Sequence, residues 1–288
     1  MGLAPGHLLG QLIGNILEDA IKPVLQEMAD RHNLYLDSKG LRPLVRDGVK
    51  VNWTDDLGNS HDLDFVLERG GTFEKAGNPA AFVEAAWRRY TKHSKAKAQE
   101  IQGAVLPVIA KWANVKPAGG AVIAGEWTRP SIAQLRSSGF EVLALDFNST
   151  VAIFKRHGVD IEGTKDGTPD EFWQRQVDVL GLLGLDGRQR LVDDLRTTNE
   201  EQFKTFVSAL EKRVIRTVER IVVMPLHGTT LEFDNLNEAV ASLETYPCSK
   251  QIAPFIRFEI RVVYTNGDRI EASFGAAHDA VEFLNTFR

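Results

Sequence analysis

Over the first thirty residues, apolar side chains fall at Leu9, Leu12, Ile13, Ile16, Ile21, Val24, Leu25 and Met28. That is the i, i+3, i+4 spacing of a helix with one buried face. Pro23 lies inside the stretch and is expected to kink the helix or divide it in two. Gly10, Gly14 and Glu18 recur every fourth residue and share one helical stripe, a seam of small residues suited to tight helix packing beside a carboxylate. From Val49 the pattern turns to the alternation of strands. "VKVNW" and "HDLDFVLE", joined by a turn rich in Asp, Gly and Asn, predict a β-hairpin. In its second strand Asp62, Asp64 and Val66 share one face, and Leu63, Phe65 and Leu67 the other. "AAFVEAAW" predicts a third strand with Phe82, Glu84, Ala86 and Arg88 on one side. A long helix is expected from Arg88 onward, basic in its first half and apolar in its second.

Strands and helices then alternate: a strand over 120–128, a helix over 129–139, a strand over 140–147, and a helix over 148–158 capped by Asn148 or Ser149. The alternation predicts parallel strands joined by a crossover, hence a mixed central sheet flanked by helices over residues 1–160. Residues 166–213 read as mainly helical, punctuated by Gly184 and Gly187. The tail returns to strands over 213–228 and 256–274, the latter a hairpin turning at Asn266-Gly267, and ends in a helix over 276–287. No repeat of fixed period stands out. Residues 161–288 are therefore expected to form an α+β C-terminal region, as a separate module or an extension of the same sheet.

Composition narrows the class. A chain of 288 residues, 43% of them apolar, can bury one large core or two ordinary ones. Apolar runs are broken by charge well before the roughly 18 residues that a membrane span needs, and no basic flank precedes an apolar core at the N-terminus. A cytoplasmic protein without a membrane partner is the expectation. The lone Cys248 can form no disulfide within the chain and no cysteine zinc site. The formal net charge of −5 hides an uneven distribution. Arg88, Arg89, Lys92, His93, Lys95 and Lys97 form a run without an acid, whereas 160–201 is rich in Asp and Glu. A polyanion could meet the first of these surfaces, not the second.

Glu84 lies between "AAFV" and "AAW", where a carboxylate is costly unless a cation or hydrogen-bond donor satisfies it. With Asp64 on the neighbouring strand, two hard oxygen donors can converge on Mg²⁺. The acid spacing and the basic segment resemble the PD-(D/E)xK nuclease superfamily, the fold class of many type II restriction endonucleases. The resemblance covers residues 1–160 and implies a restriction-endonuclease-like α/β core acting on double-stranded DNA, with Mg²⁺, replaceable by Mn²⁺, as cofactor. It implies that Asp64 and Glu84 hold the metal and that Glu18 or Glu100 completes or orients its shell. Arg88, Arg89, Lys92, His93 and Lys95 would then contact DNA. The family lysine belongs two residues after Glu84, where this chain has Ala86. Lys97, three residues before Glu100, is expected to stand in for it, with Lys95 next and Arg88 as the strand alternative. A homodimer fits palindromic sites, and Arg257, Arg261 and Arg269 would serve base reading or dimerisation.

Other readings weigh against this one. Asp62 and Asp64 could face solvent on an edge strand, the basic run could be an ordinary solvated face, and Ala86 would suit a DNA-binding protein that kept the fold and lost catalysis. A nonspecific or repair nuclease would share the same acids. A nucleotide-binding turn in "AVIAGEWTRPSIAQL" lacks the glycine spacing that phosphate loops need.

Overall fold

The computed structural model describes residues 3–163, 167–226, 230–248 and 255–287, with the side chain of Lys92 outside the described residues. Asp166, His227 and Gly228, which fall in expected elements, also lie outside them. Helix α1 (Pro5–Arg31) starts on a proline, whose missing N–H is no loss in a first turn. Pro23 is accommodated within that one helix and does not divide it. Leu17, Ile21 and Leu25 are fully buried around it, and such packing outweighs one lost backbone bond.

An unforeseen strand follows, β1 (Leu34–Ser38). The expected hairpin is cut at Asp64. β2 (Val51–Thr54) and β3 (Ser60–Leu63) pair as a separate two-stranded ribbon, and β4 (Phe65–Arg69) joins the main sheet instead. Asp55 organises the ribbon turn, its carboxylate accepting from Leu57 N and Asn59 N at 2.9 Å each. Phe65, Val66, Leu67 and Glu68 are all buried, so β4 is covered on both sides and the expected two-faced alternation does not hold there.

β5 (Asn78–Arg88) starts two residues earlier than expected and ends at Arg88. After a single 3-10 turn at Thr91–His93, α2 begins at Ser94 and runs to Lys111, six residues later than the sequence pattern suggests. There follow β6 (Ala118–Gly125), α3 (Arg129–Ser137), β7 (Phe140–Leu145) and α4 (Phe147–Arg156). The cap of α4 is Asp146, which accepts from Ser149 N at 2.9 Å, and not Asn148 or Ser149. The five-stranded sheet has the order β1-β4-β5-β6-β7. β1, β4 and β5 are antiparallel neighbours, whereas β5, β6 and β7 are parallel, with α2 and α3 as crossovers. The protein is thus α/β with a mixed central sheet. At the end of β6, Gly125 adopts φ +100° and lies so near the Arg88 carbonyl that a Cβ would sit 2.0 Å from it, which only glycine permits.

β4 also carries a buried ion network. Arg42, 1% exposed, grips both oxygens of Glu68 at 2.7 and 3.0 Å and Asp37 at 2.9 Å. It also donates to the Lys75 carbonyl at 2.7 Å and covers the Tyr35 ring at 4.3 Å. Arg46 adds a second guanidinium on Asp37.

Three helices come next: α5 (Asp170–Leu182), α6 (Gly184–Thr198) and α7 (Glu200–Val214). α5 and α6 pack on α1. The chain therefore divides near residue 211 and not at 160: one compact unit holds residues 1–111 and 117–211, the other 112–116 and 212–288.

The second unit contains β8 (Val218–Pro225), β9 (Leu231–Phe233), α8 (Leu236–Glu244), β10 (Phe258–Tyr264), β11 (Arg269–Phe274) and α9 (Ala277–Asn285). Its antiparallel sheet runs β11-β10-β8-β9 over a core that includes Val223, Leu243, Phe258, Val262 and Leu284. A β-β-α pattern occurs twice, with Ala239-Val240 and Leu243 of α8 matched by Ala280-Val281 and Leu284 of α9. That repeat is too short and too divergent to stand out in the sequence. Arg257, just before β10, and Arg261 within it are paired with Glu259 and Glu271, at 2.5 and 2.7 Å. Among the described residues no helix is long and apolar enough to cross a membrane.

Candidate active site

The interruption at Asp64 builds the site. Phe65 pairs with Val83 across β4 and β5, so Asp64 falls opposite Glu84. The two residues are cross-linked: Asp64 N donates to Glu84 Oε1 at 3.2 Å, and Ala85 N donates to Asp64 Oδ2 at 2.8 Å. Two carboxyl groups are thereby fixed side by side in a poorly solvated place. Burial drives the Glu84 carboxyl up to about 8, with repulsion from Asp64 as the next cause. The Asp64 carboxyl is also raised by burial, against the opposing pull of the Ala85 N–H and of the Lys97 and Lys39 charges. Glu18, reaching in from α1, is raised to about 7 by burial and then by Asp64.

Glu18, Ala85, Ala86, Lys97 and Lys39 line a cleft of about 1070 Å³ formed by α1, the end of β5, the start of α2 and α5. The Lys97 charge lowers the carboxyl groups of both Asp64 and Glu84, and Lys97 lines the cleft together with Ala86. Glu100 lies at the rim with its side chain 62% exposed, bonded to Lys97 at 2.5 Å and to Arg88 at 3.5 Å. It is a partner of the cations and not a member of the acid group. Arg89 stacks on Trp173 at 3.4 Å and donates to the Glu162 carbonyl at 2.7 Å. His93 lines the cleft, whereas Lys95 is exposed outside it. The side chain of Lys92, expected to contact DNA, lies outside the described residues. Asp62 sits away from the acids on the ribbon, exposed and paired with Lys50 and Asn52.

Lys39 is the lining residue that sequence reasoning missed. It stands alone after "LYLDS", with no charge pattern to mark it. The glycine stripe also has a different meaning from a packing seam. A Cβ on Gly14 would meet nothing within 4 Å and one on Gly10 only Trp87 at 4.0 Å, so both floor open space in the cleft. Gly14→Ala is accordingly expected to stabilise the protein by about 1 kcal/mol through helix propensity alone, measurable as a raised midpoint in urea unfolding.

Among the described residues no group of three or more His, Cys, Asp and Glu is arranged to hold a metal ion. Two carboxylates suffice for Mg²⁺, which keeps most of its waters and shares its remaining positions with substrate phosphates. A divalent cation would also offset the burial that raises both acids, so this donor pair fits one. No family model, no curated protein and no solved structure matches the chain.

Proposed function

We propose that the chain is a Mg²⁺-dependent endonuclease with a PD-(D/E)xK core, hydrolysing phosphodiester bonds of duplex DNA. The observation that carries this reading is the partly buried Asp64–Glu84 pair, fixed by reciprocal hydrogen bonds next to a cleft that Ala85, Lys97 and Glu18 line. The element order supports the reading: a leading helix with an acid, antiparallel β4 and β5 with Asp64 just before the first and Glu84 within the second, then a helical crossover to a parallel strand.

Bound Mg²⁺ would supply Lewis-acid stabilisation of the charge that develops on the phosphate and ease deprotonation of the attacking water. Asp64 and Glu84 would hold the cation, and Glu18 on α1 would help orient its shell. Lys97 would set a positive charge near the acids, where it offsets the negative charge of the phosphate as phosphorus becomes five-coordinate. Glu100 keeps the Lys97 ammonium in position through their 2.5 Å bond. Arg88 and His93 flank the cleft mouth and meet the DNA backbone there.

Lys97→Ala is expected to lower cleavage about a hundredfold while duplex binding changes far less, as measured by plasmid nicking beside a binding titration. The direct test is incubation of the full chain with plasmid and phage DNA plus Mg²⁺, resolved on a gel. Discrete bands support a sequence-specific, restriction-type enzyme, for which a homodimer is the expected form. A smear supports a nonspecific or repair nuclease. The second reading, a DNA-binding protein without catalysis, is favoured by Ala86 in place of the motif lysine. Binding with intact DNA in both Mg²⁺ and Mn²⁺ would establish it.

A further inference from the structure

Two features play no part in that mechanism: the buried Arg42–Arg46 network and the unpaired lysine in the cleft. We propose that Lys39 is the cation that grips a DNA phosphate beside the acid pair, and that Arg46, backed by Arg42, is the positioning residue that presents it. The inference rests on the nuclease reading and names a substrate contact that the motif does not contain.

Lys39, Arg88, Arg89 and Lys97 are the Lys and Arg residues that line the cleft. Three of them are engaged within the chain. Arg88 and Lys97 share Glu100, and Arg89 is held by Trp173 and the Glu162 carbonyl. Among the described residues, Lys39 alone of the four makes no ion pair or side-chain hydrogen bond. Its charge is nevertheless felt by Glu18 and Asp64. Lys39 also lines the same cleft as Glu18 and Lys97, so a phosphate gripped there lies in the space that they share.

The backbone on either side of Lys39 is clamped. One nitrogen of Arg46 donates to the carbonyls of Ser38 and Gly40 at 3.0 Å each, and Gly40 N donates to Val49 O at 2.8 Å. The other terminal nitrogen of Arg46 binds Asp37, which Arg42 also holds from the interior. Buried ion networks add little to stability compared with apolar residues of the same size, so stability alone is a weak reason for this one. Two guanidinium groups fixing the backbone that carries a single free lysine is a sufficient reason. A compact ammonium on a flexible stem suits a phosphate of the DNA backbone, which offers a diffuse negative charge and no fixed fork geometry.

The test is the salt dependence of binding to a short labelled duplex, measured in Ca²⁺, with cleavage in Mg²⁺ followed in parallel. Lys39→Gln is expected to reduce the slope of log K against log salt by about 0.9, the value of one phosphate contact, and to weaken binding about fivefold or more at roughly 0.1 M salt. Lys39→Arg is expected to restore both. Arg46→Lys keeps the charge but loses the fork, and should weaken binding with little further loss when combined with Lys39→Gln. If the wild type cuts DNA while Lys39→Gln keeps the wild-type slope and affinity, the proposal fails and the nuclease reading stands. If the wild type neither binds nor cuts DNA, the nuclease reading falls and the proposal with it. Should Arg46→Lys fail to fold, the exposed Lys39 position decides the matter alone.

Discussion

Glu84→Gln is expected to lower Mg²⁺-dependent DNA cleavage by about a thousandfold or more, and at the same time to make the cation-free protein more stable at pH 8. Loss of activity would follow from removing one of the two carboxylates proposed to hold the cation. The gain in stability follows from the burial of the same group. Its folded value of about 8 lies above the ordinary 4.5, so between those two pH values the folded protein holds a proton that the unfolded chain has released. Stability of the wild type therefore falls as pH rises through that window. Glutamine removes the fall, a benefit on the order of 1–3 kcal/mol once the solvent in the open cleft is allowed for. Thermal unfolding in a chelator from pH 5 to pH 9 would show converging curves at the acid end and separated ones at the alkaline end. Equal pH slopes for the two proteins would show that Glu84 is well solvated. Because a cation must displace the proton, wild-type affinity for Mg²⁺ should also rise with pH up to about 8.

Arg42→Met is expected to cost about 3–5 kcal/mol of folding stability, the largest effect foreseen away from the acid pair. Methionine fills much of the space but leaves Glu68, with its side chain 0% exposed, without either of its two bonds to the guanidinium. Asp37 keeps Arg46, so the cost falls mainly on Glu68 and on the Thr72 and Lys75 carbonyls that Arg42 also satisfies. Urea unfolding followed by circular dichroism measures it. A change below about 1 kcal/mol would mean that water reaches these groups.

The acid pair was legible because Glu84 is the one charge within a run of apolar residues, and because Asp64 precedes it at a separation that a strand pair allows. The pairing of Lys97 with Glu100 was legible from their i, i+3 spacing on a helix. The cut at Asp64 was not, since "HDLDFVLE" alternates straight through it with no Gly or Pro to mark a change of sheet. The start of α2 was misplaced because Arg88 belongs to β5, and basic residues fit a strand end as readily as a first helical turn. Three polar residues within four positions, Asp146, Asn148 and Ser149, each satisfy the chemistry of a helix cap, and only the backbone geometry selects Asp146. The domain division was hidden for another reason. The amphipathic faces of α5 and α6 announce burial but not the partner, and the partner is α1, more than a hundred residues earlier in the chain. Lys39 carries no local signal at all, because what distinguishes it is a clamp formed by the residues that follow.

The segment 112–116, which leads out of α2 toward β6, belongs to the second compact unit. There Lys116 pairs with Asp268 at 3.0 Å, and Arg216 donates to the Val115 carbonyl. Each unit is therefore assembled from two separate stretches of chain, and neither can be released whole by one cut. A truncation after residue 211 would remove Arg216 and Asp268 while keeping the segment they bind. Dissection of this protein into working parts would thus have to begin with a redesigned link between α2 and β6.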